Sequence, residues 1–380
     1  MKILFPIGIF YPASVGGPSN TVYWHTCYIK KNNIDTYIVT TDLEIDTHQN
    51  IKLNQWVNNE AGNVIYCKTR FNYFPLKAAW ETIKKMMTVD VVHYSSAYYC
   101  LTIYTIFFSI LMRRKVFLSP RGEFFPIAID NPLKRFVIRL YKLVSRYIIF
   151  HATSDEEYQS IKDLYPEANI IIQPNFIDCK TSEKSFIKSK NIVFLGILYS
   201  VKKIENLIKA VSISECFKSS NSLLLIAGKP LVKRDYEYRD MLVSLIKSYN
   251  LEKKIKFVGE VFGEEKDKFL NDAYILVLPS ETENFGNVVT EALSQSTPVI
   301  ASRGTPWKIL QERNVGWWID NDPIMLKEAI DVALSLSEID YMNKSKKSLQ
   351  LVNEKFNIYL SSDNRWIALY QGCQRKGTTR

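Results

Sequence analysis

The 380-residue chain is long enough for two α/β domains, each with its own core. Apolar residues make up 47% and charged residues 23%, which excludes a largely disordered chain. The net charge is +10, and residues 1–150 hold nearly all of the excess, with 18 Lys and Arg against 9 Asp and Glu. This balance indicates an anionic membrane surface as partner of the first domain, with nucleic acid or a merely solvated basic face as alternatives.

The sequence predicts neither a cleaved leader nor a membrane span. Residues 1–10 are apolar but lead into a Gly-Gly turn without a cleavage site, which is typical of a first strand. The most apolar stretch, residues 98–112, is shorter than the roughly 20 residues that cross a bilayer. It predicts a buried helix, with an interfacial helix as the alternative. The six cysteines lack metal-binding spacing, so we expect reduced thiols and a cytoplasmic protein.

The first half of the chain alternates predicted strands and helices, and its loops carry candidate site residues. Gly16 and Gly17 follow the first strand, where backbone amides can approach a phosphate, or form a simple turn. His93 ends another strand, at the edge where open parallel sheets bind ligands, although a lone histidine is often structural. After a later strand, Ser-Pro-Arg-Gly-Glu places Arg121 and Glu123 in one loop.

The strand and helix alternation starts again after a Ser- and Lys-rich linker at residues 179–190. The first strand of this second half leads into a loop that contains Gly196, Ile197 and Lys202. Two later strands end at Gly228 and Gly259. By itself, a lysine in such a loop is normally solvated.

Residues 279–293 form the most informative stretch, Pro-Ser-Glu-Thr-Glu-Asn-Phe-Gly-Asn-Val-Val-Thr-Glu-Ala-Leu, and follow a short apolar strand. A helix that begins near Gly286 offers its first amides to an anion. Glu283 stands before this helix and Glu291 lies within it, so both carboxylates can flank one ligand. Backbone amides bind phosphates and carboxylates bind hydroxyls, so this combination suits a nucleotide sugar. The structural alternative is a capped helix with a solvated Glu291.

This stretch resembles the signature of the retaining glycosyltransferases of family 4, which have the GT-B fold, and the resemblance extends over essentially the whole chain. It implies an α/β protein with two Rossmann-like parallel-sheet domains facing a central cleft. The expected acceptor domain is residues 1–180, with a C-terminal helix at 360–372 packing back on it. The expected donor domain is residues 181–359. Ser-Pro-Arg-Gly further resembles a bacterial polysaccharide subgroup that makes O-antigen or capsule.

The resemblance also implies roles for individual residues. Lys202 is expected to meet the donor diphosphate and Glu283 the sugar hydroxyls, while Arg121 replaces a common histidine and contacts an anion or the acceptor. The expected donor contacts are Gly16, Gly17, Gly228, Asn284, Phe285, Gly286, Asn287, Val288 and Glu291, and the expected acceptor-side residues are His93 and Glu123. Ile197 departs from the family, which usually has an arginine there.

The function implied by the resemblance is retaining transfer of a sugar from a UDP- or GDP-linked donor. The expected acceptor is an undecaprenyl-diphosphate-linked saccharide at the anionic inner face of the cell membrane, and nucleic acid is not expected. We expect no cofactor and no metal, on the interpretation that the chain lacks the Asp-x-Asp motif with which metal-dependent sugar transferases of the other common fold hold a divalent ion. The alternatives are a nucleotide-sugar epimerase of the same fold and a non-catalytic lipid-binding relative. The sequence contains no Gly-x-Gly-x-x-Gly that would favour a dehydrogenase.

Overall fold

The computed structural model describes residues 1–13, 17–45, 51–70, 74–178, 180–184, 186–187 and 189–372. The chain divides into two compact domains. The first consists of Met1–Phe176 and the C-terminal residues from Ser362, and the second of Ile177–Ser361. The four cysteines within the described ranges, Cys27, Cys67, Cys100 and Cys216, are free thiols.

The N-terminal part of the first domain forms an eight-stranded sheet in the order β3-β4-β2-β1-β5-β6-β7-β8. Its elements are β1 (Lys2–Pro6), α1 (Gly17–Lys31), β2 (Asp35–Thr41), β3 (Trp56–Asn59), β4 (Gly62–Cys67), α2 (Leu76–Met86), β5 (Val91–Ser95), α3 (Cys100–Leu111), β6 (Lys115–Ser119), α4 (Pro132–Val144), β7 (Ile148–Ala152), α5 (Asp155–Leu164) and β8 (Asn169–Ile172). All neighbouring strands are parallel except the edge pair of β3 and β4.

The second domain forms a six-stranded, fully parallel sheet in the order β11-β10-β9-β12-β13-β14. Its elements are β9 (Ile192–Leu195), α6 (Ile204–Ile213), α7 (Glu215–Ser219), β10 (Leu224–Ala227), α8 (Lys233–Ser248), β11 (Ile255–Gly259), α9 (Gly263–Asp272), β12 (Ile275–Leu278), α10 (Asn287–Ser294), β13 (Val299–Ser302), α11 (Ile309–Glu312), β14 (Gly316–Ile319), α12 (Pro323–Leu334) and α13 (Glu338–Lys355). The strand order reverses between β9 and β12, where open α/β sheets bind ligands. Both sheets confirm the predicted α/β class.

The last helix, α14 (Trp366–Gln371), belongs to the first domain. Helices α3, α4 and α5, which connect β5 to β8, pack on one face of the sheet, where Tyr94 and Phe150 join the core with residues of α2 to α5. The opposite face at β5 to β7 presents His93, Phe117 and His151. This face packs against α14, because a parallel sheet must be covered on both sides.

The apolar helix expected at residues 98–112 is α3, and it buries only one of its faces. That face is partly polar, because the buried Tyr94 hydroxyl hydrogen-bonds to Ser109 at 2.6 Å and accepts from Thr105 at 3.1 Å. Leu111, by contrast, is 77% exposed. No helix in the described ranges is long and apolar enough to cross a membrane.

Candidate active site

The loop between β12 and α10, residues 279–286, is fixed by its neighbours in the second domain. Hydrogen bonds join its backbone to Asn321, Ser302, Val201, Gly304 and Trp307. Among these, the Glu283 amide donates to the Gly304 carbonyl at 3.0 Å. A loop held along its length presents its side chains in a preorganised arrangement, which is the main requirement for electrostatic stabilisation of a reacting ligand.

Helix α10 begins directly after this loop. Gly286 occupies the N-cap position with φ +80°, a left-handed conformation that favours glycine, and has no side chain that could cap the helix. Phe285 is buried with its ring 5.1 Å from that of Trp307. Asn287 and Val288 are the first two helical residues. The positive end of the α10 dipole therefore lies at the carboxyl edge of β12.

Lys202 and Glu283 form an ion pair beside the loop, with side chains only 12% and 13% exposed. Ser280 donates from its hydroxyl to the same Glu283 oxygen at 2.8 Å. Burial lowers the pKa of Lys202, but the charge of Glu283, assisted by Tyr199 and the ion-pair hydrogen bond, outweighs burial and raises this pKa overall. Lys202 is therefore a cation at neutral pH. The sequence of this loop did not indicate which of its two lysines, Lys202 or Lys203, would be buried.

Glu291 forms a second ion pair, with Lys266 of α9 at 2.9 Å. Their side chains are 12% and 19% exposed. The sequence interpretation missed Lys266, because a lysine within a helix gives no local signal of a partner 25 residues away. The two carboxylates of the motif are thus each matched by a lysine. Asn284 lies between them in the chain and is partly buried.

Glycines end two neighbouring strands of this sheet. Gly228 follows β10 with φ +133°, and a Cβ atom there would lie 1.8 Å from the carbonyl oxygen of Gly196. Its amide donates to the Gly259 carbonyl at 2.7 Å. This close approach of loop backbones requires glycine at position 228. Ile197 follows Gly196, so the position expected to hold an arginine carries no charge.

In the first domain, Arg121 follows β6 in the left-handed conformation, with φ +55°. Its side chain donates to Ser95 and, at 3.3 Å, to Asn175. Burial lowers the pKa of Arg121 to about 10, against the opposing effects of Glu157 and Glu123, so the guanidinium stays charged at neutral pH. Glu157, which the sequence interpretation missed, accepts from the Gly122 amide at 2.6 Å and secures the turn.

The two predicted acceptor-side residues are both engaged within the first domain. Glu123 accepts from the Ser96 hydroxyl at 2.6 Å and from the Tyr98 amide at 3.2 Å, at the start of α3. Burial raises the pKa of Glu123. His93 is buried, and its ring nitrogens contact Ser119 and Tyr370. Their contact with an acceptor stays a prediction.

Two further expectations concern the first glycine loop and metal binding. Gly17 is the first residue of α1, whereas Gly16 lies outside the described residues. The expectation of no Asp-x-Asp is wrong, since the chain contains Asp320-Asn321-Asp322. Asp322 caps α12 through the Ile324 amide at 2.7 Å, and Asp320 pairs with Arg303 at 3.2 Å, so both have structural partners. Within the described ranges, no group of three His, Cys, Asp or Glu side chains could hold a metal ion.

Comparison with known proteins finds similarity mainly in the second domain. Residues 179–349 match the family model of glycosyl transferases group 1. An uncharacterized glycosyltransferase of Methanocaldococcus jannaschii is 32% identical over 148 residues, which are 38% of this chain and 36% of that protein. The O-antigen chain mannosyltransferase RfbU of Salmonella typhimurium is 27% identical over 150 residues, 40% of this chain and 37% of that protein. The matches therefore span little more than a third of these relatives.

Solved structures are similar over nearly the whole chain. HepE of Anabaena, in complex with UDP and glucose, superposes with a TM-score of 0.76 at 15% identity, covering 98% of this chain and 100% of that one. Sucrose-phosphate synthase of Thermosynechococcus elongatus gives 0.76 at 18% identity, covering 98% of each chain. The chain has the GT-B fold of these solved structures, and residues 179–349 are similar to glycosyl transferases group 1.

Proposed function

We propose that this protein is a retaining glycosyltransferase that takes a sugar from a nucleoside diphosphate donor bound by the second domain. The observation that carries the proposal is the buried Lys202–Glu283 pair on a fixed loop at the start of α10. At this edge of the sheet, the cation and the positive end of the helix match a diphosphate, and the carboxylate matches sugar hydroxyls. The matched family region contains all three.

The chemistry of the proposed step is stabilisation of the leaving diphosphate. As the bond from the anomeric carbon to the phosphate oxygen breaks, negative charge grows on that oxygen. Lys202 and the amides of residues 285–288 would meet this charge. Glu283 would hold sugar hydroxyls, and Glu291 the ribose diol. This scheme requires no divalent metal. The departing phosphate takes the acceptor proton as the new glycosidic bond forms on the same face of the sugar.

The donor experiment is a thermal-shift screen with UDP, GDP, ADP, CMP and NAD, each without and with magnesium. A ligand at 100 times its dissociation constant stabilises the folded state by about 2.7 kcal/mol. We expect one nucleoside diphosphate to raise the melting temperature equally in both conditions, and the Glu291→Ala variant to lose the shift. No shift with any diphosphate, or a shift with NAD alone, contradicts the proposal.

The stereochemical part is tested with the donor identified in this way. Proton NMR of the early product reports the anomeric configuration, and retention is the expected result. Conversion of the donor in the absence of any acceptor would instead indicate an epimerase of the same fold. Donor binding without turnover would indicate a non-catalytic relative whose site is altered at Ile197.

For the acceptor we propose an undecaprenyl-diphosphate-linked saccharide, used in O-antigen or capsule synthesis at the inner face of the cell membrane. Helix α4 supports this proposal. Its sequence contains no acidic residue, and Leu133, Phe136 and Leu143 on its outer side are 69%, 54% and 73% exposed. Exposed Arg135, Arg139 and Lys142 lie among them. An apolar stripe flanked by cations is typical of a helix that lies in an anionic lipid interface.

Vesicle sedimentation tests this membrane surface. We expect the protein to bind vesicles that contain phosphatidylglycerol more tightly than pure phosphatidylcholine vesicles. The triple variant Leu133→Ser, Phe136→Ser, Leu143→Ser should lose at least about tenfold in binding, since burying each side chain is worth about 1.5–3 kcal/mol. The matched control, Ile324→Ser, Val332→Ser, Ile339→Ser, removes three exposed apolar side chains of the second domain. Equal binding by both triple variants contradicts the assignment of α4, and full transfer to a water-soluble sugar contradicts the acceptor.

A further inference from the structure

The C-terminal helix α14 places two buried aromatic side chains among three histidines of the first domain. The Trp366 ring centroid lies 4.7 Å from those of His25 and His151. It lies 5.2 Å from that of His93. Tyr370 directs its hydroxyl to His25 Nε2 at 2.9 Å and to His93 Nδ1. A helix separated from these strands by more than 200 residues thus completes a polar cluster inside the sheet face.

Burial lowers the pKa of all three histidines, so the rings are neutral, and with neutral rings the hydrogen bonds of this cluster have one consistent direction. His151 Nε2 faces the Gln173 carbonyl at 2.8 Å, which can only accept, so Nε2 carries the proton. His151 Nδ1 then accepts from Ser119 at 2.7 Å, and Ser119 accepts from His93 Nε2 at 2.8 Å. His93 Nδ1 accepts from Tyr370, whose oxygen accepts from His25 Nε2.

With neutral rings, this direction puts the proton of each histidine on Nε2. The chain of bonds ends on a carbonyl that has no proton to give, so it cannot relay a proton onward. Its consequence is positional: each ring and hydroxyl is held in one orientation by its two neighbours.

Two residues that bond to Arg121, and Arg121 itself, each stand two positions along the backbone from a member of this network. The side-chain amide of Gln173 donates to the Asp363 carbonyl at 3.0 Å and accepts from the Arg365 amide at 2.7 Å. Two residues later, Asn175 accepts from Arg121.

The other two cases involve β5 and β6. Ser119, which bridges His93 and His151, precedes Arg121 by two residues. Ser95, which accepts from Arg121 Nε, follows His93 by two residues on the same face of β5. The left-handed backbone of Arg121 is strained for a residue with a side chain and persists only where its surroundings hold it.

We propose that the C-terminal segment, residues 363–370, positions the Arg121 guanidinium, with Tyr370 and Gln173 as positioning residues. The functional half of this inference rests on the proposed function, with Arg121 as the anion or acceptor contact that the sequence resemblance implies. Its structural half does not.

The test compares Tyr370→Phe with Tyr165→Phe in the full chain. Both tyrosines are buried in the first domain, but the Tyr165 hydroxyl donates to the Ile138 carbonyl, away from this network. In Tyr370→Phe the His25 donor and the His93 acceptor lose their partner. We expect the NMR signal of Arg121 Nε–H to shift and the ring nitrogens of His25 and His93 to leave the pure Nε2–H form. Tyr165→Phe should change neither.

Kinetics supply the second readout. Transfer by Tyr370→Phe should fall by about tenfold or more in kcat, while the dissociation constant of the nucleoside diphosphate stays within about twofold of wild type. Gln173→Met, which breaks the bonds to Asp363 and Arg365, should shift the same Arg121 signal and serves if Tyr370→Phe does not fold. An unchanged Arg121 signal in both variants overturns the inference. A shifted signal with unchanged transfer retains the positioning and overturns the role of Arg121 in the proposed function.

Discussion

The second-domain site and the first-domain site stabilise their buried polar side chains in opposite ways, one with ion pairs and the other with neutral hydrogen bonds. In the second domain, each motif carboxylate is matched by a lysine, Glu283 by Lys202 and Glu291 by Lys266. In the first domain, three histidines stay neutral and form one directional chain, and the cation that acts on all three is Arg121. Paired charges can be exchanged for a charged ligand, whereas a neutral network can only hold its members in place.

The largest expected effect comes from removing the second-domain cation. Lys202→Met should lower kcat for sugar transfer by about 10²–10³-fold, because growing charge on the leaving diphosphate loses its partner. Steady-state kinetics with the identified donor measure this. Lys308→Met is the control, since Lys308 forms an exposed i,i+4 pair with Glu312 in the same domain. A loss below about threefold in Lys202→Met would contradict the importance of this charge.

Backbone geometry at the second-domain site gives the next prediction. Gly228→Ala should destabilise the protein by about 3 kcal/mol or more, since a left-handed alanine there would also collide with the Gly196 carbonyl. Gly259→Ala has φ +81° but nothing within 4 Å of its new Cβ, and should cost only about 1–2 kcal/mol. Urea unfolding compares the two variants. Equal losses would show that the contact with Gly196 is unimportant.

In the first domain, Glu157→Gln tests the support of the Arg121 turn. The carboxylate accepts from the Gly122 amide at 2.6 Å and from the Thr153 amide at 2.8 Å, and an amide can replace only part of this arrangement. We expect a loss of about 1–3 kcal/mol in the free energy of unfolding. Its exposed neighbour gives the control Glu156→Gln, which should change stability by less than about 0.5 kcal/mol. Similar losses in the free energy of unfolding for both variants would show that Glu157 does not stabilise the turn.

The neutral histidines predict a dependence of stability on pH. Burial lowers the pKa of His151 to about 3 and those of His25 and His93 well below the usual value, which is about 6.5 in an unfolded chain. As the pH falls below about 6.5, the unfolded state takes up protons that the folded state does not. Stability is therefore complete above this pH and is lost toward the folded pKa values, by up to about 1.4 kcal/mol per histidine for each pH unit.

The acidic end of this range also protonates Glu123 and Glu157, whose pKa values burial raises, and their effect opposes that of the histidines. The contribution of one ring is therefore measured as a difference. Urea unfolding at about pH 7.5, 6.5 and 5.5 should give a shallower slope for His93→Gln than for wild type. Parallel slopes would mean that His93 is protonated in the folded protein.

The unit at residues 279–293 shows how much of the site could be predicted from sequence. Its apolar strand, glycine turn and helix start are local patterns, and the structure places β12, Gly286 and α10 where those patterns predicted them. Lys202 was selected by resemblance, and only the structure shows its burial against Glu283. Glu157 had a local signal only as a residue of a helix start, and its bond to the Gly122 amide joins distant parts of the chain. Lys266 had no local signal, because its partner Glu291 lies 25 residues away in another helix.

The sequence by itself determined the α/β class, the two strand-and-helix series and the glycine, lysine and glutamate motif of the second domain. Periodicity, turn chemistry and helix capping act over a few residues, so they can be recognised without the fold. Only the tertiary structure decided the first-domain network, in which Tyr370 meets His25 across 345 residues of sequence. That contact exists because crossovers on one face of the sheet leave β5 to β7 uncovered on the other, and α14 returns to cover them.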